Sequence, residues 1–339
     1  MKKIIIIALI LAVGAAACSS KKAEGTKLGQ TTPAYKLAKD LTAVLPIFDP
    51  DKNRVLLTTK SFDVTISDVA EVIYGTMGNA SAQLAQMDPA RLKTAVSQTA
   101  VQIAERRLLL AAAAAAKFQI SPEDVTKALA EQYASAGGED KFLEAIKTSG
   151  GDLEFIKKTI GEDQTIRGFL EKTVFAPIKV SDEDIKKAYA EDKTASVRHI
   201  LLLTQGKPET EKPAIRKKME DLLARAKKGD DFAALAKEFT EDQGSKETGG
   251  LYEDFPRGKM VQPFNDAAFS VPVGEISGIV ETEYGYHILK IEGRKKETEP
   301  LETVKPQIET ALKQQKQAGA YESFMAGIKG KAKIVEVKF

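Results

Sequence analysis

The chain has 339 residues, and its 50 Lys+Arg against 48 Asp+Glu leave a formal net charge of +2, a balance that argues against a basic nucleic-acid binder and an acidic disordered tail. With 43 % hydrophobic and 29 % charged residues it can form a core beneath a densely charged surface, and its length suits two domains or three. One Cys excludes a disulfide framework and a cysteine-rich zinc site, two His argue against a histidine-based metal site, and no Trp with 6 % aromatics argues against a sugar-binding or base-stacking surface.

Lys2 and Lys3 precede the apolar run Ile4 to Val13, then Gly14 and Ala15-Ala16-Ala17. This is the pattern of a secretory signal, too short to span a bilayer as a stable helix. The sole Cys, Cys18, follows directly, and Ser19-Ser20 opens a polar stretch reaching about Thr32 that suits a flexible tether. A small-residue run ending in Cys resembles the bacterial lipobox, with Ala15 where Leu is usual. The resemblance implies that residues 1–17 are a signal peptide and that Cys18 is lipidated and becomes the mature N-terminus. Ser19 in place of Asp resembles an outer-membrane destination in a host with two membranes. Residues 18–54 are read as the lipidated N-terminus and linker, with no assignment for 33–54.

Val55 to Leu57 and Phe62 to Ile66 look extended, and residues 65–191 are then nearly all helical. Helix starts are expected at Thr65-x-x-Asp68, Asp88-Pro89, Ser121-Pro122-Glu123-Asp124 and Ser181-Asp182-Glu183-Asp184, where a side-chain oxygen can cap the first turn. Gly137-Gly138 and Gly150-Gly151 break the pattern, and Leu153 to Val174 reads as one further helix. The period changes near residue 196. Val197 to Leu203 reads as a strand, Pro213 and Asp230 open two helices, and Gly244 to Gly258 is a glycine-rich loop. A short helix over Pro263 to Phe269 and two strands, Ile276 to Glu281 and Tyr286 to Glu292, complete a small α+β domain. Helical spacing returns from Leu301 to Ile328, and Ile334 to Val337 closes as a strand that could pair with Val55–Leu57.

The two histidines, His199 and His287, fall in the first and last strands of that domain, each among aliphatic residues. Such a histidine is by default a buried, hydrogen-bonded core residue; the other readings are a catalytic pair or a metal pair. The metal reading lacks carboxylates or Cys at ligand spacing. Nucleophilic catalysis lacks a nucleophile elbow, and there is no P-loop and no GxGxxG after a strand.

Val197-Arg198-His199-Ile200-Leu201-Leu202, Phe239-Thr240-Glu241-Asp242, Gly249-Gly250-Leu251, Phe255-Pro256-Arg257-Gly258-Lys259-Met260-Val261-x-Pro263-Phe264, Ala267-Ala268-Phe269, Gly274-Glu275-Ile276-Ser277 and Thr282-Glu283-Tyr284-Gly285-Tyr286-His287-Ile288 follow in order over roughly 196–294. This series resembles the parvulin-type peptidyl-prolyl cis/trans isomerases. The resemblance implies that His199 and His287 are paired imidazoles in a hydrogen-bond network with Asp242, Thr240 and Thr282. It implies that Leu251, Met260 and Phe264 receive the proline ring, with Phe269 behind them. Gly250-Leu251-Tyr252-Glu253-Asp254-Phe255 stands where many members have Asp-Leu-Gly-x-Phe, which leaves open which residue lines the pocket there.

The flanking segments resemble PrsA-like foldase lipoproteins and SurA-like periplasmic chaperones. The fold expected is α+β: a small parvulin domain, residues 194–296, with helices on a four-stranded sheet, inserted between segments 55–191 and 297–339 of an α-rich chaperone domain. The function implied is a peptidyl-prolyl isomerase and chaperone, without cofactor or metal, that assists secreted or outer-membrane proteins outside the cytoplasm. Its partners would be unfolded polypeptides containing X-Pro bonds and, through the lipid, a bacterial membrane; no nucleic acid is expected, and the oligomeric state stays open. The alternative is a holdase whose parvulin fold is inactive and only binds clients.

Overall fold

The computed structural model describes residues 27–337, so the signal-like segment 1–17 and Cys18 lie outside the described residues. The described chain forms two compact units, one ending at Ile178 and resuming at Lys316, the other Lys179–Gln315. In sequence, the second is thus inserted in the first.

The first unit begins with α1 (Pro33–Thr42), which carries Pro33 at its first position and is capped by the Thr32 hydroxyl accepting from the Tyr35 N–H. This helix occupies part of the stretch that the sequence pattern left unassigned. Strands β1 (Val55–Thr58) and β2 (Asp63–Thr65) pair antiparallel. A reciprocal Thr65–Asp68 cap then starts α2 (Ile66–Met77). Asp68 is buried beneath the Arg107 guanidinium, which also donates to the Asp63 carbonyl. Helices α3 (Pro89–Ala115), α4 (Pro122–Ser135), α5 (Glu139–Ser149) and α6 (Leu153–Leu170) follow, with Asp88, Ser121 and Asp152 capping three of them as the spacing of side-chain oxygens dictates. The core gathers Leu41, Phe48, Leu57, Ile66, Val69 and Leu92, all fully buried.

The inserted unit runs α7 (Asp182–Ala190), β3 (Asp192–Leu203), α8 (Lys212–Lys227), α9 (Phe232–Phe239), β4 (Leu251–Pro256), α10 (Gln262–Ser270), β5 (Val280–Glu281) and β6 (Gly285–Lys296). The long α11 (Leu301–Ala332) and β7 (Val335–Glu336) end the described chain. Residues up to Gln315 of α11 belong to the inserted unit, where Val304 and Ile308 pack on Ile185 of α7. The sequence pattern had grouped both α7 and this half of α11 with the flanking helices. From Lys316 on, α11 belongs to the first unit, as does β7, which pairs antiparallel with β1.

The inserted unit's sheet has the order β4-β3-β6-β5, every pair antiparallel. Sheet pleating sends alternate residues to opposite faces. Ile200, Leu202, Tyr286 and Ile288 meet Met219, Leu222, Phe232 and Leu235 of α8 and α9. Ala195, Val197, Leu289 and Ile291 meet Phe264, Ala268 and Phe269 of α10. Both histidines lie on this second face by strand parity. The fourth strand, β4, lies inside the stretch read from sequence as a loop. Gly249 and Gly250 adopt positive φ just before it, and this glycine signal masked four apolar or aromatic positions that pair with β3.

Candidate active site

β3 and β6 are central neighbours, in a register that sets His199 opposite Leu289 and Leu201 opposite His287. The two histidines are therefore diagonal neighbours on one face. Their rings lie 5.7 Å apart and nearly parallel, with Nδ1 to Nδ1 at 3.5 Å. Both are almost fully buried.

Asp242 reaches this face because the segment after α9 is clamped along the end of β3. The Glu241 N–H donates to the Leu201 carbonyl at 2.8 Å, and Glu241 Oε2 accepts from the Leu203 N–H at 2.7 Å. The buried Thr240 hydroxyl accepts from the Leu201 N–H at 3.0 Å and the Asp242 N–H at 3.3 Å. Thr240 thus bonds backbone at the end of β3 instead of joining the imidazoles as the sequence resemblance implied; it holds the segment that delivers Asp242. The Asp242 carboxylate takes His199 Nε2 at 3.0 Å, the Ser245 hydroxyl at 2.5 Å and the Tyr252 hydroxyl at 2.9 Å, all on Oδ2. At the far end, Thr282 Oγ1 meets His287 Nε2 at 2.8 Å.

This chain fixes its own proton positions. His199 Nε2 faces a carboxylate and so carries a hydrogen, which leaves Nδ1 as an acceptor when the ring is neutral. His287 then donates from Nδ1 and accepts the Thr282 hydroxyl proton at Nε2. His287 is pushed down to about 3, chiefly by burial and also by the His199 imidazole, against the pull of Asp242, so it is neutral near pH 7. The Asp242 carboxyl is held well below the usual carboxylate range, chiefly by the His199 hydrogen bond, with Ser245 and Tyr252 adding to it against partial burial. Tyr252 is pushed up to about 12, first by burial and then by its bond to Asp242.

The apolar wall stands on α10 and the turn before it. Phe264 is buried and presents its edge to both imidazoles, at 5.4 Å from His199 and 5.5 Å from His287. Met260 packs, partly exposed, on the same cluster. Phe269 lies behind Phe255 at 6.0 Å, with the Arg257 guanidinium 4.1 Å over its ring.

Leu251 is the one pocket residue that the register turns away. It pairs with Arg198 and so takes the opposite side of the sheet, while Tyr252 pairs with Val197 on the histidine side. The cause is a β-bulge. Between the pairs Ala195–Phe255 and Val197–Tyr252, β4 spends one residue more than β3, and Asp254 there adopts φ +47°. Simple alternation would have set Leu251 with Phe255; the extra residue exchanges Leu251 for Tyr252. Ser245 was also not foreseen, although its place three residues after Asp242 is the spacing of a local Asp–Ser bond. Among the described residues no group of three or more His, Cys, Asp or Glu side chains is placed to hold a metal ion.

The depressed His287 gives a stability test. An imidazole kept neutral by folding takes up a proton more readily when unfolded, so stability is full above about pH 6.5 and falls as pH drops from there towards 3. The expected slope is about 1.4 kcal/mol per pH unit. Amide-exchange protection in β3 and β6, corrected for intrinsic rates, should show it between pH 6.5 and 4.5, and His287→Gln should flatten it. A flat profile in the parent protein would contradict the buried neutral state.

The family model described as PPIC-type PPIASE domain matches residues 178–295. Among curated relatives, foldase protein PrsA of Caldanaerobacter subterraneus subsp. tengcongensis is 45 % identical over 139 residues, 40 % of this chain and 41 % of its own. Foldase protein PrsA 4 of Bacillus cereus is 36 % identical over 200 residues, 59 % of this chain and 64 % of its own. Foldase protein PrsA of a Geobacillus species is 35 % identical over 199 residues, 56 % of this chain and 67 % of its own. The chain thus spans 41 % and 64 % of the lengths of the first two.

Proposed function

The chain belongs to the PrsA foldase family, and on that premise we propose that it is a peptidyl-prolyl cis/trans isomerase and foldase acting on unfolded polypeptides outside the cytoplasm. The observation that carries the isomerase reading is the single sheet face on which His199, His287 and Asp242 lie beside Phe264 and Met260. Isomerising an X-Pro bond breaks no covalent bond; it requires rotation over a barrier of roughly 18–20 kcal/mol set by amide resonance. Rotation takes the nitrogen lone pair out of conjugation and the carbonyl loses its partial negative charge. An apolar wall such as Phe264 and Met260 holds the prolyl ring and disfavours the polar planar ground state. The fixed Thr282–His287–His199–Asp242 chain beside it supplies preorganised dipoles that need not rearrange as the amide twists. Neither electron transfer nor a covalent intermediate enters this scheme, so the residues on the face suffice for it. Acceleration of cis/trans exchange in a short prolyl peptide tests this reading.

The extracytoplasmic assignment and the lipid anchor rest on the sequence of residues 1–18. A cysteine carrying two or more acyl chains stays on the membrane, each buried CH₂ contributing about 0.8 kcal/mol. Cys18→Ser should therefore move the protein from the membrane to the soluble fraction on cell fractionation. Equal membrane association of variant and parent would refute lipidation at Cys18.

A further inference from the structure

We propose that Tyr252 is a positioning residue of this site, holding Asp242 and His199 in their working arrangement through its hydroxyl and its ring; the proposal rests on the isomerase reading above. Three observations converge on this side chain. Its hydroxyl donates to Asp242 Oδ2 at 2.9 Å, the same oxygen that meets His199 Nε2. Its ring stacks on the His199 imidazole, with centroids 5.1 Å apart and planes at 30°. It reaches this face only because the bulge at Asp254 exchanges it with Leu251.

In the strand order, β4 and β6 flank β3. His199 is therefore held between the Tyr252 ring on one side and the His287 ring on the other, each stacked on it. Tyr252 and Ser245 together direct two hydroxyl protons at Oδ2, which leaves the carboxylate ionised and unable to turn away. With Asp242 so fixed, the hydrogen on His199 stays at Nε2, and Nδ1 stays aimed at His287. The groups facing Asp242 are His199 from β3, Tyr252 from β4, His287 from β6 and Ser245. The Lys246 ammonium is bound at 3.2 Å to the Thr240 carbonyl two residues before Asp242. Removing the Tyr252 hydroxyl withdraws one donor from the charged form, so the Asp242 carboxyl must titrate at higher pH.

The test is the full chain carrying Tyr252→Phe, and separately Tyr252→Leu, assayed with a prolyl peptide at pH 7. Tyr252→Phe keeps the ring; it should melt like the parent, keep its KM and lose about tenfold in kcat. Tyr252→Leu removes ring and hydroxyl together and should lose more kcat than Tyr252→Phe. A Tyr252→Phe protein with parental kcat would overturn the proposal. The carboxyl carbon shift of Asp242, followed by NMR titration carried well below pH 4 in the same proteins, gives a readout that does not need turnover. It should titrate higher in Tyr252→Phe, and an unmoved titration would also overturn the proposal. A parent protein without isomerase activity would instead refute the isomerase reading, and the NMR titration would still decide the role of Tyr252.

Discussion

Phe264→Ala should lower kcat/KM for prolyl-peptide isomerisation about 100-fold, the largest loss expected from any single side chain on the histidine face. Phe264 meets both imidazoles edge-on and belongs to the cluster that includes Met260, so on the isomerase reading it is the wall for a prolyl ring as well as part of the packing around the histidines. Its truncation also opens a hole beside Phe255 and Ala268, at a cost of about 3–5 kcal/mol in the stability of this unit. Rates must therefore be compared at a temperature where circular dichroism shows both proteins folded. Met260→Ala, at a partly exposed position, should lose less activity with little change in melting. Parental rates in both folded variants would mean that the ring is held elsewhere.

Deleting residues 316–339 should unfold or severely weaken the first unit while leaving the histidine face of the inserted unit formed. The deletion removes Met325, which is buried with Leu109, Ala113, Phe169 and Leu170, and Tyr321, Phe324 and Ile328, which pack on the same cluster. It breaks the Phe169–Phe324 contact, with centroids at 5.9 Å, and the Lys329–Glu105 ion pair. It also strips β7 from β1, where Thr58 faces Val335 and Leu57 faces Glu336. Burial of large apolar side chains contributes roughly 1.5–3 kcal/mol each, so several lost together match the whole stability of a typical domain. Val304 and Ile308 remain in the shortened chain and keep their packing on Ile185. Loss of protected amides in α3 and α6, with those of β3 and β6 retained, is the expected pattern; unchanged protection in α3 and α6 would contradict it.

Sequence reasoning reached furthest where a local signal coincided with a long-range one. The capping spacings at Thr65, Ser121 and Ser181 mark helix starts because a side-chain oxygen three residues before a free N–H acts locally, and all three caps are formed. The four-stranded sheet and the closeness of His199 to His287 were legible through the ordered resemblance, since neither is set by local periodicity. What escaped was decided by register. One extra residue in β4 reverses which of Leu251 and Tyr252 faces the histidines, and no propensity of either residue reports that. The resemblance placed Thr240 in the imidazole network, yet its hydroxyl is taken by two backbone N–H groups that only the fold brings within reach. The grouping of α7 and the first half of α11 with the sheet unit depends on packing across more than a hundred residues, such as Ile185 on Val304.

The position of Gly250 shows how tightly this register is held. The His199 N–H donates to its carbonyl at 2.8 Å, and a Cβ on Gly250 would lie 2.2 Å from the His199 oxygen, at a φ of +75°. Only glycine lets β4 approach His199 this closely.

Catalysed rotation of X-Pro bonds is the activity that the histidine face implies. Uncatalysed exchange in a short prolyl peptide takes roughly tens to hundreds of seconds at 25 °C. Measured by NMR exchange or a protease-coupled assay, the full chain should shorten this time in proportion to its concentration, with Phe264→Ala retaining about one hundredth of the effect. Exchange at the uncatalysed rate, at protein concentrations that still suppress aggregation of an unfolded client, would contradict the isomerase reading and leave a chaperone that binds without turning the bond.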